Sequence, residues 1–175
     1  MHYHKNIEKT LQSVTKIWSP PPDLTVSEWS DNYRVLSAES SSESGQWRTS
    51  RAPYQKGIMD AVNDHSIHTI VFMKSAQVGA TEILNNIVGY YIDQDPSPIL
   101  VLQPTLQMAQ AWSKDRLANM IRDTEKLRHK VKDPRSRDSG NTVLSKKFPG
   151  GNINIVGSNS PSGLASRPIR ILLCD

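Results

Sequence analysis

The sequence predicts an α/β protein, with a mainly parallel sheet covered by helices on both faces and a helical arm before it. Short apolar runs typical of buried strands alternate with segments whose apolar residues recur at helical spacing. One apolar run leads into a glycine-containing loop at residues 74–81 that opens a helix, and the last run ends on Asp175. Because ligands in such sheets bind at the carboxyl ends of the strands, we expect the functional site at that edge.

The N-terminal part of the chain predicts two short helices and a linker. Apolar residues at helical spacing indicate a helix over residues 7–18, which is ended by three consecutive prolines. The sequence Thr-Val-Ser-Glu at 25–28 is a capping box that starts a second helix. The apolar residues of this second helix are Trp29, Tyr33 and Leu36. A polar stretch, residues 37–46, separates an arm and linker (1–45) from the core domain (46–175).

In the core domain, predicted helices and strands alternate. The expected helices cover residues 49–64, 81–93 and 106–131, and the expected strands cover 68–73, 98–105 and 169–175. Residues 142–158 contain two strand-like stretches around Pro-Gly-Gly and predict a hairpin. In the long third helix the residues expected to point inward are Met108, Trp112, Leu117 and Ile121.

Composition excludes several classes of protein. The chain has 175 residues, 37% of them hydrophobic and 22% charged, which suits a folded soluble domain. No run of about 20 apolar residues marks a membrane span, and the first residues lack the apolar core of a secretory signal. The single cysteine, Cys174, allows no internal disulfide and suits a reducing cytosol. The net charge is +4, and residues 114–147 carry eleven Lys and Arg against five Asp and Glu, which indicates either a polyanion partner or a solvated helix face.

The loop at residues 74–81, Lys-Ser-Ala-Gln-Val-Gly-Ala-Thr, has the features of a phosphate-binding loop whose lysine is displaced. The usual pattern is G-x-x-x-x-G-K-[ST], and Gly79 and Thr81 keep its second glycine and its hydroxyl. Backbone N–H groups of the loop and of the helix start would hold phosphate, and Thr81 would offer its hydroxyl to Mg²⁺. Lys74, at the front of the loop, could reach the β- and γ-phosphates. The alternative is an ordinary strand-to-helix turn with a surface lysine.

Two further features fit nucleotide binding. The final stretch, Arg-Ile-Leu-Leu-Cys-Asp, reads as a Walker B strand whose carboxylate, Asp175, would hold Mg²⁺; the alternative is a core strand ending in a solvated acid. Upstream of the first strand, Trp47, Tyr54 and Gln55 offer aromatic rings and an amide that could stack on and hydrogen-bond an adenine, unless the rings are packing residues. Together these features predict a P-loop NTPase fold of the RecA or helicase-like kind, with ATP and Mg²⁺ as cofactors.

In their order along the chain, these segments resemble the large terminase subunit of lambda-like tailed phages, the ATP-driven motor that packages DNA into a procapsid. The resemblance rests on five blocks: SPPPDLTVSEWSDNYRVLS, GQWRTSRAPYQKGIMDAV, KSAQVGATE, VLQPTLQMAQAWSKDRL and GSNSPSGLASRPIRILLCD. It implies that Lys74 and Asp175 are catalytic and that Thr81 and Asp175 hold Mg²⁺. The ATP-binding residues that it implies are Lys74, Ser75, Ala76, Gln77, Val78, Gly79, Ala80, Thr81, Tyr54 and Gln55. The residues that it implies in coupling to DNA are Gln103, Thr105, Ser158, Asn159, Ser166 and Arg167.

The resemblance also implies partners. They are double-stranded viral DNA, the small terminase subunit, which would dock on the N-terminal arm, and the portal and procapsid. It further implies a homo-oligomeric motor in the cytoplasm of the bacterial host, with no membrane contact.

The chain departs from the family pattern in two places. It has Glu82 just after the loop, where some relatives carry a basic residue. The family's subunit continues through a catalytic glutamate and a nuclease domain that this chain does not contain, so we expect an N-terminal fragment with weak or no ATP hydrolysis. The alternatives are a superfamily-two helicase-like P-loop ATPase and a nucleotide-binding fragment without turnover.

Overall fold

The structure, a computed structural model, describes residues 23–132, 140–165 and 167–175. The helix predicted at residues 7–18 therefore lies outside the described residues. The described chain contains a four-stranded sheet, a separate two-stranded ladder and surrounding helices, which confirms the predicted mixture of helices and strands. None of the described helices combines the length and the apolar character that a bilayer crossing requires.

Helix α1 (Val26–Tyr33) begins at the predicted capping box. The Thr25 hydroxyl accepts a hydrogen bond from the Glu28 N–H, and the Glu28 carboxylate accepts one from the Thr25 N–H at 2.9 Å. These reciprocal bonds satisfy two N–H groups that a helix start leaves without partners. The local sequence pattern thus fixes where this helix starts.

The prediction that Leu36 continues the same helix is wrong. Arg34 ends α1 in an extended conformation, and the next two residues form strand β1 (Val35–Leu36). Strand β1 pairs antiparallel with β2 (Gly45–Gln46). The polar stretch that was expected to be a linker is therefore a loop closed by a short ladder.

The main sheet is built around strand β3 (Pro98–Gln103). Strands β5 (Gly151–Gly157) and β6 (Ile171–Cys174) pair with it in parallel on either side. Strand β4 (Ser145–Phe148) pairs antiparallel with β5 through the predicted hairpin, which gives the order β4-β5-β3-β6. The prediction of a mainly parallel sheet is confirmed.

The strand predicted at residues 68–73 is absent. These residues form no ladder, and Val71 and Met73 are 86% and 95% exposed. Phe72 alone of this apolar run packs against the core. An apolar run has the composition of a strand but becomes one only when a partner edge pairs with it. The outer edge of β6, opposite β3, carries no described strand.

The helix predicted at residues 49–64 is largely confirmed. Helix α2 (Tyr54–Asp60) lies between 3₁₀ turns at Thr49–Arg51 and Ala61–Asn63. Helix α3 (Ala80–Asp93) also matches its prediction.

The predicted long helix over residues 106–131 is continuous from Leu106 to Asp123 and is interrupted at Thr124, which is extended. Its parts are α4 (Leu106–Ala111), a π-helical segment (Trp112–Leu117), α5 (Ala118–Asp123) and, after the interruption, α6 (Glu125–Arg128). Trp112, Leu117 and Ile121 are buried as predicted. The prediction for Met108 is wrong, because this side chain is 49% exposed while Ala109, on the helix stripe that includes Trp112, faces the core. A short final helix, α7, covers Pro161–Leu164.

The described part of the N-terminal arm packs on the core domain. Trp29 of α1 is fully buried and donates a hydrogen bond from Nε1 to Asp93 Oδ2 of α3 at 2.9 Å. Gly89 of α3 leaves room for the indole, because a Cβ there would lie 2.3 Å from Trp29 Cη2. The division of the chain at residue 45 stays a prediction.

Candidate functional site

The loop at residues 74–81 enters α3 through two residues with positive φ. They are Gln77, with a φ of 62°, and Gly79, with a φ of 75°. Gly79 is the N-cap of α3, and a Cβ on it would lie 2.6 Å from Gln55 Nε2. The backbone conformation therefore favours glycine here, and a Cβ would displace the Gln55 amide.

Two side chains of α2 hold this loop. The Tyr54 hydroxyl and Gln55 Nε2 both donate to the Val78 carbonyl oxygen, at 2.9 and 3.0 Å. Gln55 is 3% exposed, and its buried Oε1 has no hydrogen-bond partner in the described part of the chain. The Tyr54 side chain is 56% exposed, so its ring remains available to a ligand. Adenine contact by these two residues stays a prediction.

Thr81, Gln103 and Asp175 meet at the carboxyl edge of the sheet. The Thr81 hydroxyl donates to Asp175 Oδ2 at 3.2 Å, and Gln103 Nε2 donates to the same oxygen at 3.3 Å. The Asp175 N–H donates to the Leu102 carbonyl at 3.1 Å, which extends the ladder between β3 and β6. The fold thus brings the end of the sequence against the first turn of α3.

Thr81 and Asp175 fit a Mg²⁺ site. Magnesium is usually held in nucleotide sites by one or two protein oxygens, with water and phosphate oxygens completing the shell. A hydroxyl and a carboxylate that share one hydrogen bond supply such a pair. Over the described ranges no group of three or more His, Cys, Asp and Glu side chains could hold a metal. A metal at this edge would therefore depend on water and phosphate for its other ligands.

Lys74 is exposed at the front of the loop. No other residue that the structure describes forms an ion pair with it. Its ammonium group is therefore available to an anion. The structure gives no contact between Lys74 and Asp175, although the sequence places both at the same edge.

The residues predicted to couple to DNA lie in two loops that are joined to each other. Ser158, after β5, donates from its hydroxyl to the Pro104 carbonyl at 2.7 Å and from its N–H to the Gln103 carbonyl at 2.8 Å. Thr105 is the N-cap of α4 and accepts a hydrogen bond from the Met108 N–H at 3.1 Å. Asn159 and Arg167 are exposed, and Ser166 lies outside the described residues. Their role with DNA stays a prediction.

The sequence missed a charge cluster around Glu82. The carboxylate of Glu82 pairs with Arg34 Nη2 at 2.9 Å and with Arg116 Nη1 at 3.4 Å. Both arginines are more than 30 residues away along the chain, so no local pattern links them to the loop. The acid itself was the only signal that a compensating cation should lie nearby.

Comparison with known proteins decides the family. Residues 41–175 match the family described as phage terminase large subunit gpA, ATPase domain. The chain belongs to this family. The predicted resemblance is thereby confirmed.

Two curated terminases show how far the similarity extends. The chain is 31% identical over 131 residues to the terminase large subunit of Enterobacteria phage P21, which covers 75% of this chain and 20% of that protein. It is 30% identical over 138 residues to the terminase large subunit of Escherichia phage lambda, covering 79% of this chain and 21% of that protein. This terminase chain therefore spans about a fifth of the length of these relatives. No solved structure gives a significant match.

The part of the terminase chain that matches the family contains the whole candidate site. The loop, Tyr54, Gln103 and Asp175 all lie within residues 41–175. Helix α1 and Arg34 lie before the matched region. Arg34, the cation nearest to Glu82, therefore lies outside the matched region.

Proposed function

We propose that this chain is the nucleotide-binding part of a terminase motor that couples ATP hydrolysis to the movement of double-stranded viral DNA into a procapsid. One observation carries the proposal. The hydroxyl that ends the loop, on Thr81, and the carboxylate that ends β6, on Asp175, are in contact although they are 94 residues apart. A loop that can hold phosphate and an acid that can hold its metal are thus on adjacent elements.

The residues of the loop have distinct roles in this proposal. Backbone N–H groups of residues 75–81 and the start of α3 bind the phosphates, because a helix N-terminus carries a partial positive charge. The Lys74 ammonium group binds the β- and γ-phosphates. Thr81 and Asp175 hold Mg²⁺, which, when bound, withdraws negative charge from the phosphates. The exposed ring of Tyr54 stacks on the adenine.

The proposal includes a P-loop arrangement of the sheet. Although residues 68–73 form no ladder in the structure, in this arrangement they would pair in parallel with the outer edge of β6, which carries no described strand. Phe72 is partly buried and Leu173 is buried, whereas Met73 and Cys174 are both exposed. This alternation favours the register that places Phe72 beside Leu173 and Met73 beside Cys174. In that register Lys74 starts the loop beside Asp175.

The DNA side of the function is assigned to the joined loops after β3 and β5 and to the basic segment at residues 114–147. The further partners are the small terminase subunit on the N-terminal arm, other copies of the chain, and the portal and procapsid in the host cytoplasm. If the basic segment contacts phosphates, DNA affinity falls steeply as salt concentration rises, because binding releases counterions. An affinity that stays flat between low and high salt contradicts this assignment.

The nucleotide assignment is tested by Lys74→Ala with Lys114→Ala as the matched control. Both remove an exposed lysine, but only Lys74 belongs to the loop. A fluorescent ATP analogue should bind the wild type and Lys114→Ala equally and Lys74→Ala far more weakly. Equal affinity in all three contradicts the role of Lys74. Phosphate release, measured in the same samples, separates an ATPase from a nucleotide-binding chain without turnover.

A further inference from the structure

Glu82 places a negative charge beside the proposed phosphate site. It is the third residue of α3 and follows Thr81 directly. Its side chain is 19% exposed, and its carboxylate accepts hydrogen bonds from Arg34, Arg116 and Asn85. An acid in the first turn of a helix offsets the positive end of the helix dipole. Unless it is neutralised, Glu82 therefore opposes the binding of any anion at the loop.

Arg34 is a fixed partner of this carboxylate. Its side chain is 4% exposed, and its Nη2 lies 2.9 Å from Glu82 Oε2. The same guanidinium donates to the Val35 carbonyl, and the Arg34 carbonyl accepts from the Trp47 N–H at 2.9 Å. Burial lowers the pKa of Arg34, and the charge of Glu82 acts in the opposite direction. Removing either side chain would leave the other charge without its nearest counter-ion in a mostly buried place.

Arg116 is the second and more accessible partner. Its side chain is 43% exposed, and its Nη1 lies 3.4 Å from Glu82 Oε1. The same nitrogen donates to the Ser40 carbonyl, in the loop between β1 and β2. Arg116 belongs to the π-helical segment, a backbone irregularity that is often found at functional sites. Since Arg34 alone would only balance Glu82, Arg116 makes the three-residue cluster net positive.

We propose that Arg116 is a positioning residue for nucleotide binding, which holds Glu82 turned away and keeps the cluster of Glu82, Arg34 and Arg116 net positive, so that the start of α3 still attracts phosphate. This inference rests on the proposed nucleotide site. Arg116 acts on the ligand through Glu82 and not by direct contact. Its removal should therefore weaken binding of the phosphates and leave binding of the adenine and ribose unchanged.

The test compares the wild type with Arg116→Gln, Arg116→Lys and the double variant Glu82→Gln/Arg116→Gln. Displacement of a fluorescent ATP analogue by ATP and by adenosine gives both affinities. Arg116→Gln should weaken ATP by about twofold to fivefold, the effect of one charge near a helix end. Arg116→Lys should keep the wild-type affinity, and the double variant should recover it. Adenosine should bind all variants alike.

The outcomes separate the inference from the function on which it rests. If the wild type binds the ATP analogue and Lys74→Ala does not, but Arg116→Gln binds ATP as the wild type does, the inference is wrong and the function stands. An equal loss of ATP and adenosine affinity in Arg116→Gln also overturns it, since that pattern indicates a purely structural role. If the wild type binds no nucleotide, both are overturned. Should the double variant fail to fold, because Arg34 is left unpaired, the difference between Arg116→Gln and Arg116→Lys decides.

Discussion

Replacing Gly79 by alanine should disable the loop. Gly79 has a φ of 75°, and a Cβ there would lie 2.6 Å from Gln55 Nε2. A side chain in the left-handed region costs about 1–2 kcal/mol. Moving Gln55 aside breaks its 3.0 Å hydrogen bond to the Val78 carbonyl, which costs about 1 kcal/mol more. The expected total is about 2–3 kcal/mol.

This cost is divided between folding and ligand binding. If the variant keeps the loop conformation, the whole cost appears as lost stability. If the loop relaxes instead, nucleotide binding must restore it, and affinity falls by as much as about 30- to 150-fold. Thermal unfolding and titration with a non-hydrolysable ATP analogue measure the two parts. Gly57→Ala is the matched control, because a Cβ there meets nothing within 4 Å and its backbone has no positive φ.

The control variant places alanine inside α2, where alanine is a better helix former than glycine. Gly57→Ala should leave affinity unchanged and stability unchanged or slightly raised. A Gly79→Ala protein with both wild-type stability and wild-type affinity would refute the reasoning, since neither the backbone conformation nor the contact with Gln55 would then matter.

Three more predictions follow from other contacts. Gly89→Ala should destabilise the fold by about 1–3 kcal/mol in thermal unfolding, because its Cβ would lie 2.3 Å from the buried ring of Trp29; wild-type stability would contradict this packing. Burial raises the pKa of Asp93, but hydrogen bonds, including one from Trp29, outweigh it and lower the pKa below its ordinary value. The stability that this interaction contributes is complete above the unfolded-state pKa of about 4 and is lost as pH falls through the lower folded-state pKa. Asp93→Asn should therefore be less stable than the wild type at neutral pH and lose less stability in acid. Parallel curves of stability against pH for the two proteins would contradict this. In the proposed register, Met73→Cys should form a disulfide with Cys174 on mild oxidation, because paired strands lie about 4.8 Å apart, within disulfide range. Met73→Ser should form no such link, and failure of the cysteine variant to cross-link contradicts the register.

Local patterns predicted local structure well. The capping box at Thr25 needs only four consecutive residues, and it starts α1 as expected. Helix α3 and strands β3 and β6 follow from apolar periodicity within short windows. The contact between Gln103 and Asp175 is a long-range result, but it follows from one general rule, that parallel strands end at a shared edge.

The errors arise where a distant partner decides the outcome. Residues 68–73 have a strand pattern, but no described strand pairs with them. A strand forms only beside a partner edge, and a local window does not contain that edge. Leu36 has helical spacing, yet pairing with Gly45 draws it into a ladder. Met108 directly precedes Ala109, which lies on the buried face of the helix. The predicted inward face was therefore displaced by one residue at this position. The sequence of a short segment does not show which distant segment will pair with it or pack against it.

The charge cluster shows the same limit at the site. The sequence shows Glu82 as a departure from the family pattern, but its compensation depends on Arg34 and Arg116. Arg34 ends a helix and Arg116 belongs to a π-helical segment, and neither position has a sequence signal that refers to the loop. Only the assembled fold brings these three side chains together.

The structure of the chain in complex with Mg²⁺ and a non-hydrolysable ATP analogue is the most direct test of the proposed nucleotide site. We expect the triphosphate to lie against the backbone of residues 75–81, with the Lys74 ammonium on the β- and γ-phosphates and Mg²⁺ between Thr81 and Asp175. A nucleotide bound elsewhere, or bound at the loop without involvement of Lys74 and Asp175, would contradict the account.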